Sequence, residues 1–211
     1  MGLCLQEMNI TDTIFNQDCI EGMKSLPDNS IDCCVTSPPY FGLRDYGYDR
    51  QIGLEDTPEK FVQKLVEVFT EVKRILKPEG TLWLNLGDSY AGSGKGGQSD
   101  EKRSDNWQPE YSNKGLKYGL KPKDLIGIPW MVAFALRSSG WWLRQDIIWN
   151  KPNPMPESVT DRCTKSHEYI FLLSKSQKYY YDNEAIKYES TSTDNSNRNI
   201  LIFFLKVDRY N

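Results

Sequence analysis

Apolar residues along this chain fall into short continuous runs and longer helical repeats, and their order predicts an α/β fold. The run Ile31–Val35 indicates a buried strand, and Thr81–Leu86 indicates another. Between them we expect a helix that begins at Thr57-Pro58-Glu59, where a capping hydroxyl and a proline precede an acidic residue. Its apolar face ends before Lys77-Pro78-Glu79-Gly80. The strand–helix–strand order is typical of a parallel α/β sheet.

Weaker patterns extend this arrangement on both sides. Thr13–Asn16 is a candidate strand, and Ile20, Met23 and Leu26 have helical spacing before a turn at 27–30. Later in the chain, the predicted elements are a helix from Pro129 to Leu136, a strand at Leu143–Trp149, and a hairpin formed by His167–Ser174 and Lys178–Tyr181.

Composition sets limits on the class of protein. With 211 residues, the chain is long enough for one sizeable core. Its formal net charge of −3 gives no overall basic field, which weakens nucleic-acid binding as an interpretation without excluding a local basic patch. The sequence has no signal peptide and no apolar stretch near the ~20 residues that a membrane span needs. We therefore expect a cytoplasmic protein that does not bind membranes.

The cysteines indicate no cross-link and no metal centre. Their number is five, which is odd, and none of them form a CxxC pair, so neither a disulfide framework nor a zinc site is expected. Cys33 and Cys34 lie within the first apolar run, and we predict that both are buried small hydrophobic residues.

The first predicted strand ends at Ser37-Pro38-Pro39-Tyr40, hereafter the finger. Proline has no N–H for a sheet ladder, and each residue before a proline is held extended, so this stretch is stiff. A strand that simply ends at prolines is the simpler interpretation. However, the finger combines a hydroxyl with an aromatic ring at the carboxyl end of a strand, where ligands of open α/β sheets bind.

Two other features have competing interpretations. Gly92–Gly97 fits the G-x-G-x-x-G pattern, but the following segment 98–106 is polar and has no helical period, so we favour a flexible loop over a dinucleotide site. His167 is the only histidine, and it stands next to Glu168 at the start of an apolar strand. We expect a structural pairing there rather than a metal ligand or a general base.

Four lysines with interleaved tyrosines occur near the end of the polar region 91–122. From the residues alone, this cluster is either a basic patch that binds a nucleic-acid backbone or a solvated loop, and both interpretations stay open. Its members are Tyr111, Lys114, Lys117, Tyr118, Lys121 and Lys123.

Taken together, these motifs resemble the DNA amino-methyltransferases, which methylate cytosine at N4 or adenine at N6. Thr36 followed by the finger resembles their catalytic signature, and the serine form resembles the N4-cytosine branch. The resemblance covers roughly Thr13–Tyr181. Its further matching stretches are Asn16–Asp28, Gly80–Asp88, Ile148–Pro152 and Arg162–Lys175.

The resemblance implies a Rossmann-like α/β sheet that uses S-adenosylmethionine. It divides the chain into a partial catalytic domain at 13–187, with a polar insertion at about 91–125, and a divergent tail at 188–211. The order of motifs is similar to the permuted group, in which a glycine motif for the cofactor comes near the carboxyl end. That motif is missing here, so we expect a truncated sheet that binds S-adenosylmethionine weakly or not at all.

The resemblance also implies the site residues. Ser37, Pro38, Pro39 and Tyr40 would be catalytic, and Asp18 would lie near the adenosine part of S-adenosylmethionine. The implied substrate is double-stranded DNA, although RNA stays open, and a catalytically incomplete remnant that only binds DNA or a partner is the alternative. The residues expected to contact DNA are Lys114, Lys117, Lys121, Arg162 and Lys165.

Overall fold

The computed structural model describes residues 14–48, 51–91 and 119–187. The chain divides into one compact unit that ends at Tyr180 and another that begins at Tyr181. In the second unit, the described residues 181–187 form a turn in which the Asp182 carboxylate accepts hydrogen bonds from the N–H groups of Glu184 and Ala185. No described helix is both long enough and apolar enough to cross a membrane.

The first unit is an α/β structure, as the hydrophobic pattern predicts. Its helices are α1 (Cys19–Lys24), α2 (Pro58–Ile75) and α3 (Ile128–Ser138). Its strands are β1 (Ile31–Thr36), β2 (Leu76–Leu86), β3 (Trp142–Asn150) and β4 (His167–Ser174).

The described strands form a sheet in the order β1-β2-β4-β3. β1 is parallel to β2, with Thr36 opposite Leu84. β4 lies antiparallel to both of its neighbours, so that Phe171 is opposite Leu84 on one side and Asp146 on the other. This register brings the carboxyl ends of β1, β2 and β3 to the same edge of the sheet as the start of β4.

The hydrophobic core lies between the sheet and the two longer helices. Thr57 caps α2 by accepting a hydrogen bond from the Lys60 N–H, and Pro58 occupies the first turn, as predicted. Alternate residues of β2 are fully buried against α2 and α3, because successive strand side chains point to opposite faces. The buried residues of this core include Phe61, Leu65, Phe69, Leu82, Leu84, Leu86, Val132, Leu136, Phe171 and Leu173.

Three predictions from the pattern are wrong. Residues 14–16 form no strand, and Ile14 is 95% exposed, because no described strand lies beside them. Lys178–Tyr181 is not a strand, since β4 pairs with β2 and β3 instead. β1 is not fully buried either: it is an outer strand, Val35 is 79% exposed and Cys33 is exposed, while Cys34 is only partly buried.

Candidate active site

The finger follows β1 at the carboxyl edge of the sheet, and the residues after it hold it in place. Phe41 is buried, and its ring packs on that of Phe61 at 5.6 Å between centroids. The Gly42 N–H donates to the Gly53 carbonyl at 2.7 Å. Gly53 has a φ of +107°, which favours glycine, and a side chain there would lie 3.0 Å from the Tyr40 carbonyl oxygen. The backbone of the finger is therefore held against a glycine turn.

A network of hydrogen bonds holds the hydroxyl groups of the finger. Tyr40 Oη lies 2.9 Å from Asn85 Oδ1 and 3.1 Å from Glu168 Oε2, and its single O–H can donate to either acceptor. Ser37 Oγ lies 3.3 Å from Asn85 Oδ1 and 3.4 Å from Tyr40 Oη, and its single O–H can donate to either of them. The Asn85 amide is itself oriented, because its Nδ2 donates to the Tyr169 carbonyl at 3.2 Å.

Strand alternation explains why these groups meet. Asn85 lies between Leu84 and Leu86, whose side chains enter the core, so the Asn85 side chain points to the other face of the sheet. Glu168 is the second residue of β4, one position before Tyr169, which packs on the core side. Asn85 and Glu168 thus emerge on one face at the edge where the finger begins.

Gly87 supplies the surface on which the Tyr40 ring lies. A Cβ at position 87 would be 2.5 Å from Tyr40 Cε2 and 2.9 Å from Cδ2, far below ordinary contact. The ring can occupy this place only because the residue after β2 has no side chain.

Glu168 is held from the opposite side by Lys151. The Lys151 ammonium pairs with Glu168 Oε1, and the Lys151 N–H donates to the Ser166 carbonyl at 2.7 Å just beyond the end of β3. Burial opposes ionisation of the Glu168 carboxyl, but hydrogen bonds from Lys151 and Tyr40 outweigh it and lower its pKa. Burial and the neighbouring Glu168 charge raise the pKa of Tyr40, against the effect of its bond with Ser37. The pair is therefore an ionised carboxylate beside a neutral phenol.

A cleft of about 330 Å³ opens beside the finger. Its lining is the finger itself together with Leu43, Arg44 and Tyr46. Leu43 and Tyr46 are more than half exposed. Apolar and aromatic surfaces next to a few fixed polar groups are typical of sites that bind a small molecule.

Asp18 lies at the start of α1, where its Oδ1 accepts hydrogen bonds from the N–H groups of Ile20 and Glu21 at 3.0 and 3.1 Å. The carboxylate therefore acts as a helix cap. Its Oδ2 accepts no hydrogen bond from a described residue. A role of Asp18 towards a cofactor stays a prediction.

The residues predicted to contact DNA lie in different settings. Lys114 and Lys117, like Gly92–Gly97, lie outside the described residues. Lys121 is exposed and pairs with Asp124, three positions away. The DNA role of these lysines stays a prediction.

The segment between β3 and β4 contains the other two predicted basic residues. The Arg162 guanidinium pairs with Glu157 at 2.5 Å and lies 4.0 Å above the centroid of the Tyr90 ring. Lys165 is partly buried, and the loss of water lowers the pKa of its ammonium more than the nearby carboxylates Asp88 and Glu168 raise it. Arg162 also lines a second cavity of about 540 Å³, next to Tyr90.

His167 has a structural setting, although its partner is a ring. It packs edge-on against Tyr169 at 5.3 Å, whereas Glu168 bonds Lys151 and Tyr40 on the other face of β4. Sequence reasoning gave no catalytic role to Asn85, Gly87, Lys151 or Glu168, and it placed Glu168 only beside His167 in a structural pairing. Asn85 could have been noticed as a polar residue inside an otherwise apolar strand, and Glu168 as an acid at the start of another.

The sequence matches known proteins over most of its length. The model of a family described as DNA methylase, the N6/N4 methyltransferases, matches residues 31–206. The Type II methyltransferase M.Cfr9I of Citrobacter freundii is 52% identical over 186 residues, which are 88% of this chain and 62% of that protein. The chain thus spans less than two thirds of the length of this relative.

Solved structures share the fold at lower sequence identity. PvuII DNA methyltransferase, described as cytosine-N4-specific, superposes with a TM-score of 0.55 at 18% identity, over 79% of this chain and 50% of that one. A protein of Thermus thermophilus, described as a candidate DNA modification methylase and solved with S-adenosyl-L-methionine, gives a TM-score of 0.51 at 24% identity over 80% of this chain and 55% of that one.

Proposed function

Since the chain belongs to the N6/N4 DNA methylase family, we propose that it takes part in methyl transfer from S-adenosylmethionine to an exocyclic amino group of double-stranded DNA. The observation that supports this most directly is the hydrogen-bonded finger. Ser37 and Tyr40 both lie within hydrogen-bond distance of Asn85 Oδ1 at the open edge of the sheet, next to a cleft lined by Leu43 and Tyr46.

The finger suits the chemistry of an amino group on a base. Such an amine is a poor nucleophile, because its lone pair is delocalised into the ring. Ser37 Oγ and the Pro38 carbonyl would accept its two hydrogens and localise that pair, and the two prolines fix both acceptors before the base arrives.

The base must leave the double helix to reach the finger. Rotating it out costs a few kcal/mol, and stacking on an aromatic ring returns about 1–3 kcal/mol. The Tyr40 ring is the surface that we assign to this stacking, because its hydroxyl bonds and Gly87 hold it in place. We infer cytosine N4 as the target, from the serine that begins the finger.

S-adenosylmethionine supplies an activated methyl group when it is bound. Its adenosine part carries hydroxyls that can donate hydrogen bonds to a carboxylate. Asp18 offers Oδ2 as the acceptor, while Oδ1 caps α1. Asp18 is therefore the residue that we assign to the cofactor. Lys121, Arg162 and Lys165 are assigned to DNA, with Lys114 and Lys117 as further candidates from the sequence.

A transfer assay tests this proposal. The purified chain is incubated with DNA and S-adenosylmethionine that carries a tritiated methyl group, in parallel with the variants Ser37→Ala and Tyr40→Ala. With S-adenosylmethionine at a concentration high enough to offset weak binding, we expect incorporation by the parent and none by either variant, while circular dichroism of all three stays the same. Parent-like turnover in both variants would refute the assignment.

The second candidate is DNA binding without catalysis, which would need only the basic residues Lys121, Arg162 and Lys165 and not the finger. The same preparation distinguishes the two proposals. A gel-shift that retains DNA, together with no tritium incorporation by the parent, would favour binding alone.

A further inference from the structure

The network around the finger contains a group that the transfer chemistry described above does not use. When the amino nitrogen forms its bond to the methyl carbon, the bond from that carbon to sulfur breaks and its electron pair stays on sulfur. The nitrogen then holds one proton too many and must release it. Ser37 and Tyr40 are neutral hydroxyls, and the Asn85 amide takes up no proton, so a separate acceptor is needed.

Glu168 is the carboxylate that the finger reaches. Ser37 Oγ donates to Tyr40 Oη at 3.4 Å, and Tyr40 Oη donates to Glu168 Oε2 at 3.1 Å. When each O–H turns to these acceptors instead of to Asn85 Oδ1, both O–H groups point from the finger towards the carboxylate. A lone pair of Ser37 Oγ is then left to face the cleft, on the side where an amino group would arrive.

We propose that Glu168 is a positioning residue that acts through Tyr40: it orients the two hydroxyls of the finger and receives the proton that the amino group releases. The proton passes from nitrogen to Ser37 Oγ, the Ser37 proton passes to Tyr40 Oη, and the Tyr40 proton passes to Glu168. Each hydroxyl is restored, and the carboxylate becomes a carboxyl that later returns its proton to water. This inference rests on the proposed methyl transfer.

The surroundings of Glu168 suit this role. Its side chain is 17% exposed, so water has limited access to it. Lys151, beyond β3, pairs with Oε1 and leaves Oε2 to the phenol. Lys165, before β4, adds a second positive charge that acts on Glu168, and Asp88, after β2, partly offsets that charge. The carboxylate is thus ionised before reaction while one of its oxygens stays committed to Tyr40.

Single-turnover methyl transfer tests the relay. We expect Glu168→Gln and Tyr40→Phe each to lower the rate by about 100-fold, the order of a lost general base. The double variant should be no slower than either single variant, because both interrupt the same path. The matched control is Glu71→Gln, which removes another ion-paired glutamate, 24% exposed, on α2. Rate losses that multiply in the double variant would overturn the relay.

The pH profile adds a readout that a purely structural role would not move. The rate should fall as pH drops through the pKa of Glu168, because a protonated carboxyl accepts no proton. Lys151→Met removes the ammonium that lowers this pKa, so the acid limb should move to higher pH. An acid limb at the same pH in the parent and in Lys151→Met would contradict the assignment.

A titration that needs neither DNA nor cofactor separates this inference from the proposed function. With 3-fluorotyrosine placed only at position 40, fluorine NMR follows the phenol pKa directly. Glu168→Gln should lower that pKa, since the carboxylate raises it, and Glu71→Gln should leave it unchanged. If the chain transfers no methyl group but this shift is present, the orienting contact stands and the methyl-transfer proposal fails. Equal pKa values in parent and Glu168→Gln would overturn the inference.

Discussion

The contact between Gly87 and the Tyr40 ring gives a sharp prediction. In Gly87→Ala, the new methyl group would lie 2.5 Å from Tyr40 Cε2. Carbon atoms in good contact are about 3.5–4.0 Å apart, so the ring must move by about 1 Å or leave the site. The φ of Gly87 is not in the left-handed region, so the backbone accepts alanine and the clash alone decides the result.

Both responses of the ring lower the free energy of unfolding by a similar amount. A ring that stays in place is overpacked, which costs ~1–3 kcal/mol. A ring that swings out loses its hydrogen bonds to Asn85 and Glu168. A typical hydrogen bond contributes ~0.5–1.5 kcal/mol, and one to a charged group such as the Glu168 carboxylate contributes more. We therefore expect Gly87→Ala to lower the free energy of unfolding by about 2 kcal/mol.

Urea unfolding, followed by circular dichroism, measures this in a double-mutant cycle. In the Tyr40→Ala background no ring opposes the new methyl group, so Gly87→Ala should cost less than about 0.5 kcal/mol or even stabilise the chain. In the Tyr40→Phe background the ring remains and the steric cost should persist. If Gly87→Ala costs the same with and without the ring, the packing argument is wrong.

Three further predictions concern other parts of the fold. Asp88 accepts hydrogen bonds at 3.0 Å from the N–H groups of Gly127 and Ile128 at the start of α3, so Asp88→Ala should lower the free energy of unfolding in urea by about 2 kcal/mol, and a loss below about 0.5 kcal/mol would contradict this. The Lys175 ammonium donates to the Leu76 carbonyl at 2.5 Å where α2 ends, so Lys175→Met should cost about 1–2 kcal/mol in the same assay; an unchanged midpoint would refute this. Burial raises the pKa of the Cys34 thiol to about 11, so at pH 8 only about one molecule in 1,000 holds the Cys34 thiolate. Alkylation of Cys34 by iodoacetamide should therefore accelerate about tenfold per pH unit up to that pKa. A rate of Cys34 alkylation that does not change with pH would contradict this.

The local features of this molecule could be predicted from its sequence better than its long-range contacts. The prolines of the finger and the cap of α2 act on neighbouring residues, so their effect could be deduced from their order alone. The meeting of Tyr40 with Glu168 depends on β4 entering the sheet between β2 and β3, which no local pattern encodes. The partners of the finger were therefore visible only in the structure.

The prediction that β1 is a buried strand was wrong for a related reason. Continuous apolar residues predict a strand covered on both faces, yet Val35 is largely exposed, so no described element covers the face of β1 to which its side chain points. Hydrophobicity indicates what a strand can bury, but the elements that cover its two faces decide what it does bury. The short segment at 14–16 shows the same limit, because three residues hold too few positions to distinguish a strand from a loop.

The position of β1 also has a consequence for handling the protein. One side of β1 pairs with β2, and the backbone donors and acceptors on its other side have no strand partner among the described residues. Such margins pair readily with a second polypeptide, and exposed apolar side chains such as Val35 strengthen the attachment. Self-association should therefore increase with protein concentration, and light scattering before each unfolding experiment gives the concentration below which the chains remain separate.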